Sequence, residues 1–317
     1  MSQYQPLLSI CIPTYNRAEY LKQSLDSLVC LPEFLSGNID VVISDNASTD
    51  NTEIMIKEFV DKHSCIHYFK NEENIRDKNF PKVLSKACGV YRKLFNDTII
   101  YGEKSLNHML QVIDLASKEK PIIFWKNIKK EREIKYFENA NLFLREASFW
   151  TTSIATFGLW QDDCYDIENK TVGSELSLWQ TKYFFDLLAG NKQRRIMYVK
   201  DNMYQLQVVE KKDLSYGLYK VFYINYLKLV AELVDKKIIQ KNVFDYLEKD
   251  LLFRFFTSWL VNYRLRQRTY KVNDHENLEV LVLNQYKNKC YYWKFLFKYK
   301  KSLLFAKLKN VFDVKAL

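Results

Sequence analysis

SICIPTYNR, residues 9–17, and VVISDNASTD, residues 41–50, decide the fold of this 317-residue chain. Each is a short apolar run that stops abruptly at small and polar residues. The run 7–13 closes at Pro13 and reads as a buried strand, and 39–44 reads as a second one. Between them Tyr20, Leu21, Leu25 and Leu28 form a helical stripe within 17–31. Working outward, Asp50 or Thr52 can cap a helix through Phe59, and 66–69 is a third short strand. The segment 79–88 reads as helix, with Phe80, Val83, Leu84 and Ala87 on one face. Strand at 91–95, helix at 105–116 and strand at 121–125 continue the alternation. Strands alternating with helices predict an α/β fold with a mainly parallel sheet and helices on both faces. Past Lys126 the pattern loosens: 149–157 reads as a strand, 176–188 as helix, and 197–204 as a strand that returns to the sheet. From Tyr216 onward helical spacing takes over, carried by Leu218, Val221, Phe222, Tyr226 and Leu229.

Composition narrows the class. Hydrophobic residues are 48% and charged residues 27% of the chain, which describes a globular protein and excludes a disordered or collagen-like one. The six cysteines include no C-x-x-C pair and sit mostly in apolar stretches, so they are expected to be buried free thiols. The four histidines show no zinc-ligand spacing. The N-terminus carries no signal-peptide pattern, and no stretch reaches the roughly 18 uncharged apolar residues of a membrane span. A cytoplasmic protein is expected. The net charge of +10 points to an anionic partner. It is local: residues 287–317 hold nine lysines and one acid, Asp313, and so carry +8 of it.

The polar residues that end the first two runs have a chemistry of their own. In an open parallel sheet they stand at the carboxyl edge, where ligands of such folds bind. The stretch from Pro13 through Thr14, Tyr15 and Asn16 to Arg17 brings donors there. A carboxylate at Asp45 can accept hydrogen bonds from a nucleobase imide or from ribose hydroxyls. Asn46, Ser48 and Asp50 lie on the turn that follows. Each also has a structural explanation, Asp50 as a helix cap and Asn46 as a turn residue. Two such strand ends about thirty residues apart nevertheless point together to a nucleotide.

Both motifs resemble the family 2 glycosyltransferases, and among those the abequosyltransferase-type enzymes of bacterial surface-polysaccharide assembly. The resemblance covers roughly residues 7–116 and is weak to about 205. It implies a GT-A (Rossmann-like) domain at 1–210, its donor half at about 1–125 and its acceptor half at about 126–210. A helical region with a basic, aromatic tail follows at 211–317. It implies a donor site built from Pro13, Tyr15, Asn16, Arg17, Asp45, Asn46 and Ser48, joined by Asp77 and Asn79 of the stretch NIRDKN, 74–79, with Arg76 or Lys78 meeting a phosphate. Relatives follow a Gly-x-Tyr pattern, here Gly89 and Tyr91, with a cluster of aspartates that holds Mg²⁺ or Mn²⁺. In this chain the cluster is incomplete. Asp97 alone keeps its place, beside Thr98 and Ile99. Three outcomes are open: Asp97 holds the metal with the substrate, a cation such as Arg92, Lys93 or Arg76 replaces the metal, or catalysis is lost. The resemblance also implies an inverting reaction with a carboxylate base after the cluster. Glu175 and Asp163 are the leading candidates, with Asp162 and Asp166 behind them. Trp150, Trp160 and Trp179 are candidates for a sugar-stacking platform.

The expected function is therefore transfer of a sugar from a nucleotide sugar to a glycan or lipid-linked acceptor. The alternative is a catalytically degenerate nucleotide- or glycan-binding subunit. A nucleotidyltransferase is disfavoured because no Gly-rich phosphate loop opens the chain. The tail mixes Tyr291, Tyr292, Trp293, Phe295 and Phe297 with lysines, and Leu304, Leu308 and Val311 recur at helical spacing. That composition suits an anionic membrane surface better than nucleic acid, unless the tail is only a solvated helix face or its three apolar residues pack onto the body.

Overall fold

The computed structural model describes residues 5–102, 105–129, 132–190, 194–209, 212–214, 216–266, 270–272 and 277–314. Within these, the side chains of 105, 212–214, 266, 270–272 and 309–314 are not described. The chain divides into two units. Met1–Phe143 and Trp150–Val208 form the first, and Leu144–Phe149 and Val209–Leu317 the second.

The first unit is the α/β body. Its elements run β1 (Leu8–Thr14), α1 (Ala18–Val29), α2 (Pro32–Leu35), β2 (Ile39–Asp45), α3 (Thr52–Lys62), β3 (Ile66–Lys70), α4 (Asn79–Lys86), β4 (Tyr91–Leu94), β5 (Ile99–Tyr101), α5 (Ser105–Ala116), β6 (Ile122–Asn127) and β7 (Glu133–Phe137). Helix α6 (Ala140–Ala147) spans the division, and β8 (Gly158–Trp160), α7 (Trp179–Gly190), β9 (Ile196–Asp201) and β10 (Tyr204–Leu206) complete the unit. The main sheet has the order β3-β2-β1-β4-β8, parallel except for β8. The chain winds from β1 to β3 on one side and then returns to place β4 on the other. The strand order thus reverses beside β1, where an open α/β sheet leaves a crevice at its carboxyl edge. Leu8, Ile10, Ile12, Val41 and Ile43 of the strands pack with Leu21, Leu25, Leu28 and Ile56 of the helices, all without solvent exposure.

One close approach fixes the register of β1 and β4. The Gly89 N–H donates to Ser9 Oγ at 2.8 Å. A Cβ at position 89 would meet Ser9 Oγ at 2.6 Å and Ser9 N at 2.7 Å, so only glycine lets the strands come this close.

Several sequence expectations are corrected. Residues 121–125 and 197–204 do not join the main sheet. They fall in β6 and β9, which form a second sheet of order β6-β9-β7. The strand expected at 197–204 breaks after Asp201 because Asn127 Oδ1 captures the N–H groups of Met203 and Tyr204. It resumes as β10, antiparallel to β5. The strand expected at 149–157 is instead two 3₁₀ turns, Ser148–Thr152 and Ile154–Thr156, followed by β8. Here Thr156 Oγ1 donates to the Ser153 carbonyl at 2.7 Å, a local bond that competes with a ladder. The helix expected from 176 begins only at Trp179, because Gly173 (φ 98°) and Ser177 (φ 55°) hold left-handed backbone before it. Cys11 and Cys164 are buried, but Cys30, Cys88 and Cys290 are exposed, so burial does not describe all six.

The second unit is helical. It holds α8 (Tyr226–Asp235), α9 (Lys241–Asp250), α10 (Thr257–Arg266), α11 (Leu278–Tyr286) and α12 (Tyr292–Val314). A short parallel pair, β11 (Lys212–Leu214) and β12 (Tyr270–Val272), accompanies them. Wide π-helical turns at Lys220–Asn225 and Leu251–Phe256 lead into α8 and α10. Its core includes Tyr226, Leu229, Val230, Leu247, Leu251, Phe256, Leu260, Tyr286 and Phe295.

Candidate functional site

Two loops at the carboxyl ends of β1 and β2 lock into each other. Asn16 adopts φ 51° and donates its N–H to Ser48 Oγ at 2.8 Å, while its Oδ1 accepts from the Thr49 N–H at 2.8 Å. Asp50 accepts from the Ala18 N–H at 3.1 Å and from the Thr52 N–H at 3.1 Å, so one carboxylate ties the starts of α1 and α3 together. Asp50 and Ser48 thus spend their polar atoms on the scaffold. Pro13 and Arg17 are half-buried and Tyr15 and Asn16 are exposed along the rim.

Asp45 ends β2 with no exposed surface. Its Oδ1 accepts from the Ser48 N–H at 2.8 Å and its Oδ2 from the Tyr68 hydroxyl at 2.7 Å. Burial, and then the bond to Asp45, push the Tyr68 phenol upward, so it stays a donor. Behind Asp45 lies an amide knot. Asn46 Nδ2 donates to Asn74 Oδ1 at 2.8 Å, and Asn46 Oδ1 accepts from the Ile75 N–H at 2.9 Å and from Asn71 Nδ2 at 3.1 Å. Asn79 accepts from Ser44 Oγ at 2.6 Å and from Asn71 at 3.0 Å, and donates to the Ser44 carbonyl at 2.9 Å. Asn46 and Asn79 are both buried. They hold the β2 edge and the loop after β3 in one shape.

Asp97 follows β4 at the same edge. Its Oδ2 accepts from Thr14 Oγ1 at 3.0 Å. Burial pushes the carboxyl up to about 6, against the pull of the Arg17 charge and of the Thr14 bond. Sequence and structure agree in bringing Thr14, Arg17, Asp45 and Asp97 to one edge. Asp77 lies farther along, where it accepts from the backbone N–H of Trp179 at the start of α7; burial raises it to about 6, and its Oδ2 is enclosed without a partner.

The candidate bases separate. Glu175 is exposed in the 3₁₀ turn Ser174–Leu176, with its Oε2 accepting from the Gly173 N–H at 2.9 Å. This turn packs on the turn Arg76–Lys78, on the carboxyl-edge side. Asp163 stands elsewhere. β8 runs antiparallel to β4, with Trp160 opposite Tyr91, so the residues that follow emerge at the amino edge, where Gln161 meets Val90 and Gln5. Tyr91 opens β4, whereas Asp97 lies in the turn beyond its other end. Both Asp163 oxygens are also held by Arg194, at 2.7 and 3.1 Å. Asp162 pairs with Lys120 there, and Asp166 bonds Asn169. The geometry therefore takes Asp163 away from the edge at which Asp97 lies.

Other expectations change as well. Lys93 and Arg92 are strand residues in the interior. Lys93 is fully buried and donates to the Ala155 carbonyl, with its ammonium 4.5 Å from the Phe95 ring centroid, and Arg92 donates to the Leu84 carbonyl at 2.8 Å. Neither offers its charge at the edge. Trp160 and Trp179 are buried, donating to the carbonyls of Pro121 and Lys170, and are no platform. Trp150 is exposed, beneath the Lys126 ammonium. Sequence reasoning passed over Tyr68 and Asn71, although Asn71 follows β3 as Asn46 follows β2. It also passed over Asp201, which is buried at the end of β9 and bonded to His108 Nδ1 at 2.6 Å and Arg132 Nε at 3.0 Å.

A resident cation is not well provided for. Among the described residues no three His, Cys, Asp or Glu side chains come together as a metal site. Mg²⁺ and Mn²⁺ need about six ligand atoms, mostly oxygens. Asp97 supplies one carboxylate whose protonation near pH 6 competes with any cation.

Comparison with known proteins fits this frame. Residues 9–114 match the sequence family "Glycosyl transferase family 2". Over 110 residues the chain is 39% identical to abequosyltransferase RfbV of Salmonella typhimurium, covering 34% of this chain and 33% of that protein. It is 35% identical over 75 residues to validoxylamine A glucosyltransferase of Streptomyces hygroscopicus, covering 24% and 18%. The chain thus spans about a third or less of the length of these relatives. Among solved structures, S. aureus TarS 1–349 superposes with a TM-score of 0.56 at 18% identity, over 82% of this chain and 74% of that one. Mannosyltransferase PcManGT from Pyrobaculum calidifontis, in complex with GDP-Man and Mn²⁺, gives 0.54 at 15% identity over 98% and 88%. At these identities the likeness is one of fold, and that fold is GT-A. Residues 9–114 thus form a glycosyl transferase family 2 domain.

Proposed function

We propose that the protein transfers a glycosyl group from a nucleoside-diphosphate sugar to a hydroxyl of a glycan or lipid-linked acceptor, on the cytoplasmic side. The observation that carries this reading is the convergence of Thr14, Arg17, Asp45 and Asp97 from three strands at the carboxyl edge of a family 2 domain. In it, Asp45 and its Tyr68 partner shape the nucleoside pocket. Tyr15 and Asn16 line the rim, and Arg17 meets the diphosphate. Asp97 faces the polar end of the donor, where it would offer one carboxylate to a cation arriving with the diphosphate.

The reaction is inverting. Glu175 accepts the proton of the acceptor hydroxyl as that oxygen attacks the anomeric carbon, and the nucleoside diphosphate leaves with the bonding electrons. Its side chain has only to release the Gly173 N–H to do so. The likeness to the abequosyltransferase supports a place in bacterial surface-polysaccharide assembly. A second reading, a nucleotide- or glycan-binding subunit without turnover, is favoured by the lone Asp97. A thermal-shift screen with UDP-, GDP-, CDP- and dTDP-sugars, with and without Mn²⁺, followed by assay of donor hydrolysis and transfer, tests both. A stabilising donor that turns over supports the enzyme, stabilisation without turnover supports the binding subunit, and no stabilisation by any donor defeats both.

A further inference from the structure

Helix α12 carries three faces. At 3.6 residues per turn, Phe295 and Tyr299 point to one side; they are 0% and 4% exposed and their rings stack at 6.1 Å. Phe295 also meets Phe253 at 6.3 Å, Tyr299 donates to Glu279 at 3.2 Å and Lys298 donates to the Phe253 carbonyl at 2.8 Å. These contacts seat the helix within its own unit and fix which way the rest of it faces.

On the opposite side, Trp293, Phe297, Leu304 and Leu308 fall within about 60° of arc. Trp293 and Phe297 are 78% and 72% exposed, and Leu304, Phe305 and Leu308 are between 44% and 60% exposed. The third face is double. Lys300 and Lys307 run along one border of the apolar stripe, and Lys294 and Lys301 along the other, all exposed. From Trp293 to Leu308 the stripe is about 22 Å long at 1.5 Å per residue. Leu304 and Leu308 are thus exposed side chains of α12, where the sequence had left packing open; Val311 lies outside the described side chains.

We propose that α12 is an interfacial helix that lies in the plane of an anionic lipid bilayer, its apolar stripe among the acyl chains and its two lysine rows at the phosphates. Charge complementarity selects this occupant. A second copy would set lysine rows against lysine rows. A nucleic acid would engage the lysines and leave the tryptophan, phenylalanine and leucines in water. A bilayer surface offers both an apolar layer and flanking anions, the arrangement that amphipathic surface helices exploit. No helix among the described residues is long and apolar enough to cross a membrane, so this is attachment in the plane of the surface. The inference stands independently of the transfer reaction.

The test is co-sedimentation of the full chain with vesicles of phosphatidylcholine alone and of equimolar phosphatidylcholine and phosphatidylglycerol. Binding to the anionic vesicles, weakened by salt, is expected. Phe297→Asp with Leu304→Asp removes two anchors and should lower binding by about 100-fold or more. Lys300→Gln with Lys301→Gln and Lys307→Gln should lower it by about 100-fold on anionic vesicles. All five positions are exposed, so melting temperatures should stay within a few degrees of wild type, which separates lost binding from lost fold. Equal binding to both vesicle types, or anionic binding unchanged in the Asp variant, would overturn the proposal. So would a wild-type dimer, seen by sedimentation velocity, that the Asp variant abolishes, since the occupant would then be a second copy.

Discussion

Asp97→Asn should make the protein more stable and less functional at the same time. The carboxyl ordinarily titrates at 3.8 and is pushed to about 6 where it stands, chiefly by burial. That displacement corresponds to roughly 3 kcal/mol against the charged form at neutral pH. Because the folded state holds this proton more tightly than the unfolded chain, stability falls as pH rises from about 4 to about 6 and stays lower above that window. The asparagine amide keeps the shape and can still accept from Thr14, but it carries no buried charge. Some of the gain is lost with the attraction of Arg17, which leaves an expected stabilisation of about 1–3 kcal/mol at about pH 7.5. At about pH 4.5 the wild-type carboxyl is largely protonated and the difference should shrink toward zero. Urea denaturation of both proteins at the two pH values measures this directly, and the wild-type-minus-variant difference cancels the other titrating groups. Donor turnover should be lost in the variant. An Asp97→Asn protein that is less stable at pH 7.5, or whose stability difference is the same at both pH values, refutes the electrostatic argument. Full turnover would remove the residue from the mechanism.

Glu175→Gln should lower the transfer rate by about 10²–10⁴ while leaving donor affinity intact, as kinetics and calorimetry would show; a rate within a few-fold of wild type makes Glu175 a turn residue only. Asp163→Asn should do the reverse, costing about 1–3 kcal/mol of stability by loosening Arg194 with little change in rate, and a comparable loss of rate at unchanged stability would return it to the list of bases. Asp45→Ala leaves Tyr68 and the Ser48 N–H unpaired and should weaken nucleotide binding by about 1–3 kcal/mol; unchanged affinity in calorimetry would exclude it from the nucleoside pocket. Gly89→Ala forces a methyl group against Ser9 backbone and should cost about 1–3 kcal/mol in denaturant melts, whereas a neutral substitution would show that β1 and β4 can part at that point.

Much of the donor half is legible because local and long-range signals agree there. The runs ending at Pro13 and Asp45 are apolar, short and closed by turn residues, and each is a central strand buried on both faces. The second half is harder because its polar side chains draw backbone groups away from the strand ladders or turn back on their own segment. Thr156 turns back to Ser153, Asn127 intercepts the chain after Asp201, and Ser177 takes a left-handed conformation that no hydrophobic pattern announces. The site is legible to the same degree. Residue types at the edge could be named, but their partners could not. That Asn16 would bind Thr49, or that Tyr68 would bind Asp45, depends on which strands become neighbours. Asp163 illustrates the limit. It lies after Asp97 in the chain, as the resemblance implies for the base, yet one antiparallel strand, β8, sends it to the other edge of the sheet.

The two carboxylates that end β2 and follow β4 are in opposite conditions, and the contrast bears on the roles proposed for them. Asp45 has no exposed surface and has two well-placed donors, a backbone N–H and a phenol. A ligand has little left to offer it, so in the proposed donor site its part would be to hold Tyr68 and the turn at Ser48 in place. Asp97 is half-buried, accepts one hydroxyl bond and feels one guanidinium, and burial disfavours its charged form more than these two partners restore it. Any ligand that brings a cation or a strong donor relieves that deficit, and binding and deprotonation then favour each other. Donor affinity should accordingly rise with pH through about 6 if the cation or donor enters with the nucleotide sugar, and calorimetric titrations on either side of that value would show it. An affinity that is flat across the window would mean that the donor never reaches Asp97, and the diphosphate would then have to be held by Arg17 and the backbone of the first two loops.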